Sequence, residues 1–192
     1  MIYRFHTIDR EVTQNVSRYA ISTLGHRYAS AIHELQKAHV LAKSPFSPWA
    51  VFFLRIAGGV ISKRYVQSNR KSLRSEEISF IKNQERSSIV EWRVIRLCGA
   101  DRVVVENSDS GNQITLVESN AQHKLPEGSH FLARVVNIDG NNYISGIHPQ
   151  IIARPRESII QGEMHANPLT LSSYTRVMKE WESGMDIPKS VE

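Results

Sequence analysis

The spacing of apolar residues changes near the middle of the chain. In the first half they recur at intervals of three and four, which is typical of amphipathic helices. One helix is predicted from Asp9, as its N-cap, to Leu24, where Gly25 follows. A second is predicted over residues 26–42, and the segment KSPFSP (residues 43–48) ends it. The first half is therefore predicted to be helical.

The most apolar segment of the chain, WAVFFLRIAGGVI, covers residues 49–61. It is preceded by Ser47, a good N-cap, and Pro48, which suits the first helical position. The segment is shorter than the roughly 20 residues that a membrane span needs. It is predicted to be a buried helix in which Gly58-Gly59 permits close packing. Its buried stripe is expected to contain Trp49, Phe52, Phe53 and Ile56.

A fourth helix is predicted over residues 75–86, with Ser75 as its cap. From Ser87 onward the pattern becomes that of short strands rich in β-branched and aromatic residues. The predicted strands are Ile89–Leu97, Arg102–Asn107, Gln113–Val117, His130–Ile138 and Asn142–Ile147. The hydrophobic alternation slips near Ile95, which indicates a bulge, and Asp139-Gly140 fits a two-residue hairpin turn.

These elements predict an α+β protein: an N-terminal helical subdomain, a five-stranded meander closed into a small antiparallel β-barrel, and a C-terminal helix. The barrel is expected to be SH3-like or OB-like. The predicted divisions are a basic helical subdomain (1–87), the barrel (88–152) and an irregular segment with the C-terminal helix (153–192). That last helix is predicted over residues 171–184. Its apolar stripe contains Tyr174, Met178 and Trp181.

Charge is distributed unevenly over this architecture. The chain has 192 residues and a net charge of +5. Residues 1–90 hold 14 Lys and Arg against 6 Asp and Glu, a net charge of +8, whereas residues 91–192 have a net charge of −3. Within the basic half, the segment 62–74 contains no carboxylate. Its cations form a candidate phosphate-binding surface or a solvated face: Lys63, Arg64, Arg70, Lys71 and Arg74.

The order of elements over residues 45–150 is similar to a region found beside the SEC-C zinc motif in a group of uncharacterised bacterial proteins. The similarity is carried by PFSPWAVFFLR, SEEISFIKNQERS, EWRVIRL, RVVVENSDSGNQITLVE and LPEGSHFLARVVNIDGNNYISG. The chain lacks the cysteines of the SEC-C motif itself, so the zinc site of that motif is not implied here. The resemblance implies the architecture and no particular activity.

Candidate catalytic chemistry is sparse. The histidines do not show the spacing of a helical metal pair, and no metal site or cofactor is predicted. His130 and His148 flank the Asp139-Gly140 turn. With Arg134 and Tyr143 they form a weak candidate acid/base cluster for phosphodiester cleavage. Cys98 has no neighbouring histidine and is predicted to be an inert thiol.

Three functions remain open from the sequence. The first is a non-enzymatic nucleic-acid-binding accessory protein that uses the basic helical face, with the barrel aromatics Trp92, Phe131 and Tyr143 as possible stacking surfaces. The second is a protein-interaction adaptor that binds its partner through Tyr174, Met178 and Trp181. The third is an RNase-like enzyme at His130 and His148. A cytoplasmic location is expected, because the chain has one cysteine and a charged start instead of a signal peptide.

Overall fold

The computed structural model describes residues 2–37, 46–153 and 171–183. Among the described residues, five helices and a small hairpin precede the barrel: α1 (Ile2–Leu24), α2 (His26–Lys37), α3 (Phe46–Phe53), β1 (Arg55–Ile56), β2 (Gly59–Val60), α4 (Ile61–Asn69) and α5 (Ser75–Arg86). The barrel and the last helix follow: β3 (Ile89–Leu97), β4 (Arg102–Asn107), β5 (Gln113–Val117), α6 (Ala121–Lys124), β6 (Ser129–Ile138), β7 (Asn141–Ala153) and α7 (Leu171–Ser183).

The five strands β3 to β7 form a closed barrel in the order β3-β4-β5-β7-β6. The predicted meander is correct for the β3–β4, β4–β5 and β6–β7 pairs. It is wrong elsewhere, because the chain crosses the barrel between β5 and β6, where the short helix α6 lies. As a result β6 pairs with β3, and β5 closes the barrel by a parallel pairing with β7. This Greek-key order with one parallel closure is the topology of an OB-type barrel, not of an SH3-like one.

Two local features predicted for the barrel are confirmed. The pairing of β3 with β4 shifts register between Val94 and Arg96, so the extra residue is Ile95. This bulge bends β3 and lets it pair with both β4 and β6. Asp139 and Gly140 have φ values of 50° and 76°, as a two-residue turn with two left-handed positions requires. No helix longer than the four residues of α6 lies within the described residues 89–147.

The helical half is corrected in several places. The helix α1 begins at Ile2, so Asp9 lies inside it, and α5 has Arg74 as its N-cap, with Ser75 as the first helical residue. The apolar segment is not one helix: α3 ends at Phe53, and Ala57 and Gly58, both with positive φ, turn the β1–β2 hairpin. Gly58 therefore serves a turn and not helix packing. The predicted extension of α2 to residue 42 lies outside the described residues.

Two apolar cores result. One fills the barrel, with Trp92 and Phe131 inside it. The other lies between the helices and the outer surface of β6 and β7, and it includes Phe52, Phe53 and Ile56. That confirms the predicted stripe apart from Trp49, whose side chain is not described. None of the described helices combines the length and apolarity needed to cross a lipid bilayer.

Candidate nucleic-acid interface

Three cations of the predicted basic segment lie free at one edge of the helical layer. Lys63, Arg70 and Lys71 are exposed, and none of them forms an ion pair with a carboxylate within the described residues. Lys63 and Arg70 are seven residues apart on α4 and the turn that continues it, so they project from the same side at a separation of about 10 Å. We call Lys63, Arg70 and Lys71 the basic edge.

The other two predicted cations are engaged in local contacts. The Arg64 guanidinium donates to the carbonyl of Ala57 and packs against Gly59, which fixes the β1–β2 hairpin. The Arg74 side chain forms an ion pair with Glu77 at 3.1 Å, and its backbone N–H donates to the same carboxylate at 3.0 Å. Both residues therefore have structural partners that compete with phosphate.

The basic edge is held in place by the opposite side of α4. Ile61 is completely buried there, and the Ser62 hydroxyl donates to Glu85 of α5 at 2.7 Å. The Tyr19 hydroxyl of α1 lies 3.0 Å from the Ser68 hydroxyl, in a hydrogen bond that fixes the second turn of the helix. Since one side of α4 is attached to α1 and α5, its charged side must face outward.

The outer surface of β3–β5, which is a common binding surface in OB barrels, carries cations but no aromatic residue among the described strand residues. Arg93 is paired with Glu106 at 3.1 Å, whereas Arg102 is exposed. The predicted stacking residues lie elsewhere. Trp92 and Phe131 are inside the barrel, and Tyr143 is covered by Phe5, whose ring stacks on it at 4.4 Å. This surface therefore offers no base-stacking platform.

Arg134 lies on β6 but is completely buried beneath α5. Its guanidinium donates hydrogen bonds to Gln84 and to the Ser87 hydroxyl, and the distance from Nη2 to the Ser87 hydroxyl is 3.2 Å. The centre of the guanidinium lies 4.6 Å from the centroid of the Phe53 ring. Gln84 in turn donates to Asp9 of α1 at 3.0 Å and to Ser145 of β7 at 2.7 Å.

We call Asp9, Gln84, Ser87, Arg134 and Ser145 the junction network, because they join α1, α5 and the barrel. Burial lowers the pKa of Arg134 to about 10, against the opposing effect of Asp9, so the guanidinium stays charged at neutral pH. Burial also raises the pKa of Asp9, although Arg134 and the Ser145 hydroxyl oppose that shift. The network is a charged contact inside the protein and is inaccessible to a phosphate.

The predicted acid/base cluster is not assembled for catalysis. His130 lies 2.7 Å from Glu91 through its Nδ1 atom, and both belong to the outer surface of the barrel. His148 is completely buried beneath α7, where its Nε2 atom lies 3.6 Å from Glu182. Because a substrate cannot reach a fully buried imidazole, the RNase-like hypothesis is wrong for this arrangement.

The stripe predicted to bind a protein partner is also buried. Tyr174, Met178 and Trp181 have no exposed surface, and they belong to the core between the helices and the barrel. Burial raises the pKa of Tyr174 above its ordinary value of 10. The amphipathic pattern of α7 was read correctly, but its apolar side packs within the chain. The expected partner site is therefore corrected to a core element.

Comparison with family models, curated proteins and solved structures finds no significant match. The resemblance to proteins that carry the SEC-C motif accordingly stays a prediction. Within the part of the chain that the structure describes, no group of three or more His, Cys, Asp and Glu residues is placed to hold a metal ion. Cys98 is half-buried and accepts a contact from Arg96 at 3.0 Å.

Proposed function

We propose that the protein is a non-enzymatic, cytoplasmic nucleic-acid-binding accessory protein that holds phosphates on the basic edge. The observation that carries the proposal is the set of three exposed cations, Lys63, Arg70 and Lys71, without carboxylate partners in the described chain. Cations arranged in this way gain affinity for nucleic acid by releasing condensed counterions from phosphates. They carry no base-specific information, so this contact positions the strand without selecting a sequence.

The type of barrel also supports the proposal. An OB-type barrel presents a rigid curved surface beside a nucleic-acid strand, and Arg102 on its outer surface adds an exposed positive charge. The adaptor alternative has lost its proposed contact, since the stripe of α7 is buried. Over the described side chains of residues 172–183, the exposed side of α7 is polar and offers no apolar patch that would replace the stripe.

The test is fluorescence anisotropy of labelled oligonucleotides with the whole protein over a range of salt concentrations. Three phosphate contacts predict a log–log slope of about −2 to −3. Replacing Arg70→Glu together with Lys71→Glu removes two contacts and is expected to reduce the slope by about 1.4–1.8, with weaker binding to every sequence.

The matched control is Lys82→Glu together with Lys179→Glu. Both residues are exposed on other helices, so this variant has the same net charge as the first but an intact basic edge. It is expected to keep most of the salt dependence of the wild type. Equal losses in the two variants would indicate attraction by net charge alone. Unchanged binding in the Arg70/Lys71 variant would refute the proposal.

A further inference from the structure

The β1–β2 hairpin lies directly beside the first turn of α4. Its second strand ends at Val60, which is the N-cap of α4. The Arg64 side chain, from the first turn of α4, reaches back and donates a hydrogen bond to the Ala57 carbonyl in the hairpin turn. The hairpin and α4 therefore form one unit, in which each fixes the position of the other.

The contact between Arg64 and the hairpin depends on two unusual positions. A Cβ atom at Gly59 would lie 2.8 Å from the Arg64 Nε atom, so a larger residue there would displace the guanidinium. Ala57 has a φ of 50°, a left-handed conformation that is unfavourable for a residue other than glycine. Strained backbone of this kind persists where surrounding contacts hold it, and it is concentrated at functional sites.

The hairpin carries one charged side chain, Arg55, and this side chain is exposed. Its neighbours in the chain, Leu54 and Ile56, are both buried, so the backbone at Arg55 is fixed while the guanidinium remains in solvent. Arg55 has no carboxylate partner within the described residues. Moreover, the sequence contains no Asp or Glu over residues 35–75. Arg55 is therefore a free cation on a fixed element.

Arg55 also lies close to the basic edge. It is paired with Val60 across the hairpin, and paired Cα atoms in an antiparallel ladder are about 5 Å apart. Val60 and Lys63 are separated by three residues at the start of α4, which adds about 6 Å. The Cα atoms of Arg55 and Lys63 are thus within about 12 Å of each other, a distance that corresponds to about three or four nucleotides along a strand.

We infer that Arg55 is a further phosphate-contacting residue, so that the hairpin and the basic edge bind the backbone of the same nucleic acid. The inference rests on the proposed function. Arg55 then adds a fourth phosphate contact to those of Lys63, Arg70 and Lys71. A phosphate carries no base identity, so this contact contributes affinity and position without sequence preference.

The experiment measures the anisotropy of a labelled mixed-sequence duplex, and of its single strand, with the whole protein over a range of salt concentrations. Arg55→Gln removes one contact, so the log–log slope should decrease in magnitude by about 0.9 for the duplex and about 0.7 for the single strand. At 0.1 M salt the affinity should fall by about five- to eightfold. Arg55→Lys retains the charge and should keep the slope of the wild type.

The matched control is Arg10→Gln, which changes the net charge by the same amount. Arg10 is exposed on α1, and it precedes Tyr19 by nine residues, or two and a half helical turns. Because Tyr19 contacts Ser68 of α4, Arg10 points away from α4. This variant should keep the slope of the wild type. Urea denaturation of each variant should give the wild-type free energy of unfolding, since the replaced side chains are exposed.

Failure of the hairpin inference can be distinguished from failure of the proposed function. If Arg55→Gln keeps the wild-type slope while Arg70→Glu with Lys71→Glu reduces it, the hairpin inference is wrong and the proposed function stands. Equal losses in Arg55→Gln and Arg10→Gln, or a lower free energy of unfolding for Arg55→Gln, also overturn the hairpin inference. If the wild type binds neither probe in a salt-dependent way, both proposals fall.

Discussion

The junction network and the basic edge show two opposite uses of arginine in one chain. Arg134 is completely buried, donates to Gln84 and Ser87, and lies against the Phe53 ring. Arg70 is exposed and has no carboxylate partner in the described residues. The first charge joins α5 to the barrel, and the second is available to a ligand. The number of cations in a segment therefore does not show how many of them are exposed to a ligand.

The same comparison explains why the barrel alone is a poor candidate for binding. Two of its cations form contacts within the protein: Arg134 in the junction network and Arg93 with Glu106. The aromatic residues Trp92, Phe131 and Tyr143 are buried in the two cores. In the helical half, Lys63 stays exposed because α4 is attached to the other helices through Ile61 and Ser62, whose side chains point in other directions.

The largest expected effect comes from removing the ring beside the junction. Phe52 is 1% exposed, and the Arg134 guanidinium lies 5.7 Å from its centroid. Phe52→Ala should lower the free energy of unfolding by about 3–5 kcal/mol, because it leaves a cavity in the core. Urea denaturation measures this. Ile21→Ala, at a position 61% exposed, is the control and should change it by less than about 0.5 kcal/mol. Equal effects would contradict the assigned core.

The second prediction separates the two arginines directly. Arg134→Ala should lower the free energy of unfolding by about 3 kcal/mol, because Gln84 loses a buried partner and Asp9 loses its compensating charge. Arg70→Ala should have almost no effect on stability. Arg134→Lys should recover only part of the loss, since an ammonium cannot replace the planar fork that contacts two partners. A loss below about 1 kcal/mol for Arg134→Ala would show that the network contributes little.

The third prediction concerns the pH dependence of the junction. The pKa of Asp9 is raised in the folded state, so the folded protein binds this proton more tightly than the unfolded chain does. The stability contributed by Asp9 is therefore complete below its ordinary value of 3.8 and is lost as the pH rises through the folded pKa. Compared with Asp9→Asn, the wild type should become progressively less stable from about pH 3.5 towards neutrality. If the free energy of unfolding of the wild type relative to Asp9→Asn stays constant or increases with pH, the raised pKa of Asp9 is contradicted.

The strands could be predicted from the sequence because their information is local. Alternation of apolar residues and a turn such as Asp139-Gly140 define a hairpin without reference to the rest of the chain. The order of strands in the barrel could not be predicted, since it depends on the crossing between β5 and β6. The hairpin after α3 was missed because the apolar run through Arg55 and Ile56 matches a buried helix as well as a strand.

The junction network and the buried side of α7 were harder to predict than the strands, because they depend on contacts between residues far apart in the sequence. Gln84 and Ser145 are 61 residues apart, and neither has a sequence signal that distinguishes it from a surface residue. Asp9 resembles an N-cap, although it is an internal partner of Gln84. The stripe of α7 was visible, but an amphipathic pattern does not state whether its apolar side meets its own chain or a partner. Lys63, Arg70 and Lys71 are exposed because a charged run rarely finds buried partners, but their role in binding stays a prediction.

The smallest expected effect on stability is that of reversing two charges of the basic edge, and it tests whether the fold needs these charges. Arg70→Glu with Lys71→Glu should change the free energy of unfolding by less than about 0.5 kcal/mol, because both side chains are exposed and have no carboxylate partner in the described residues. At low salt a slight gain is expected, since the reversal relieves repulsion within the carboxylate-free segment 62–74. Urea denaturation at two salt concentrations measures both effects. A loss above about 1 kcal/mol would mean that these charges are required by the fold, as Arg134 is. Weaker nucleic-acid binding by that variant would then report instability and not lost phosphate contacts.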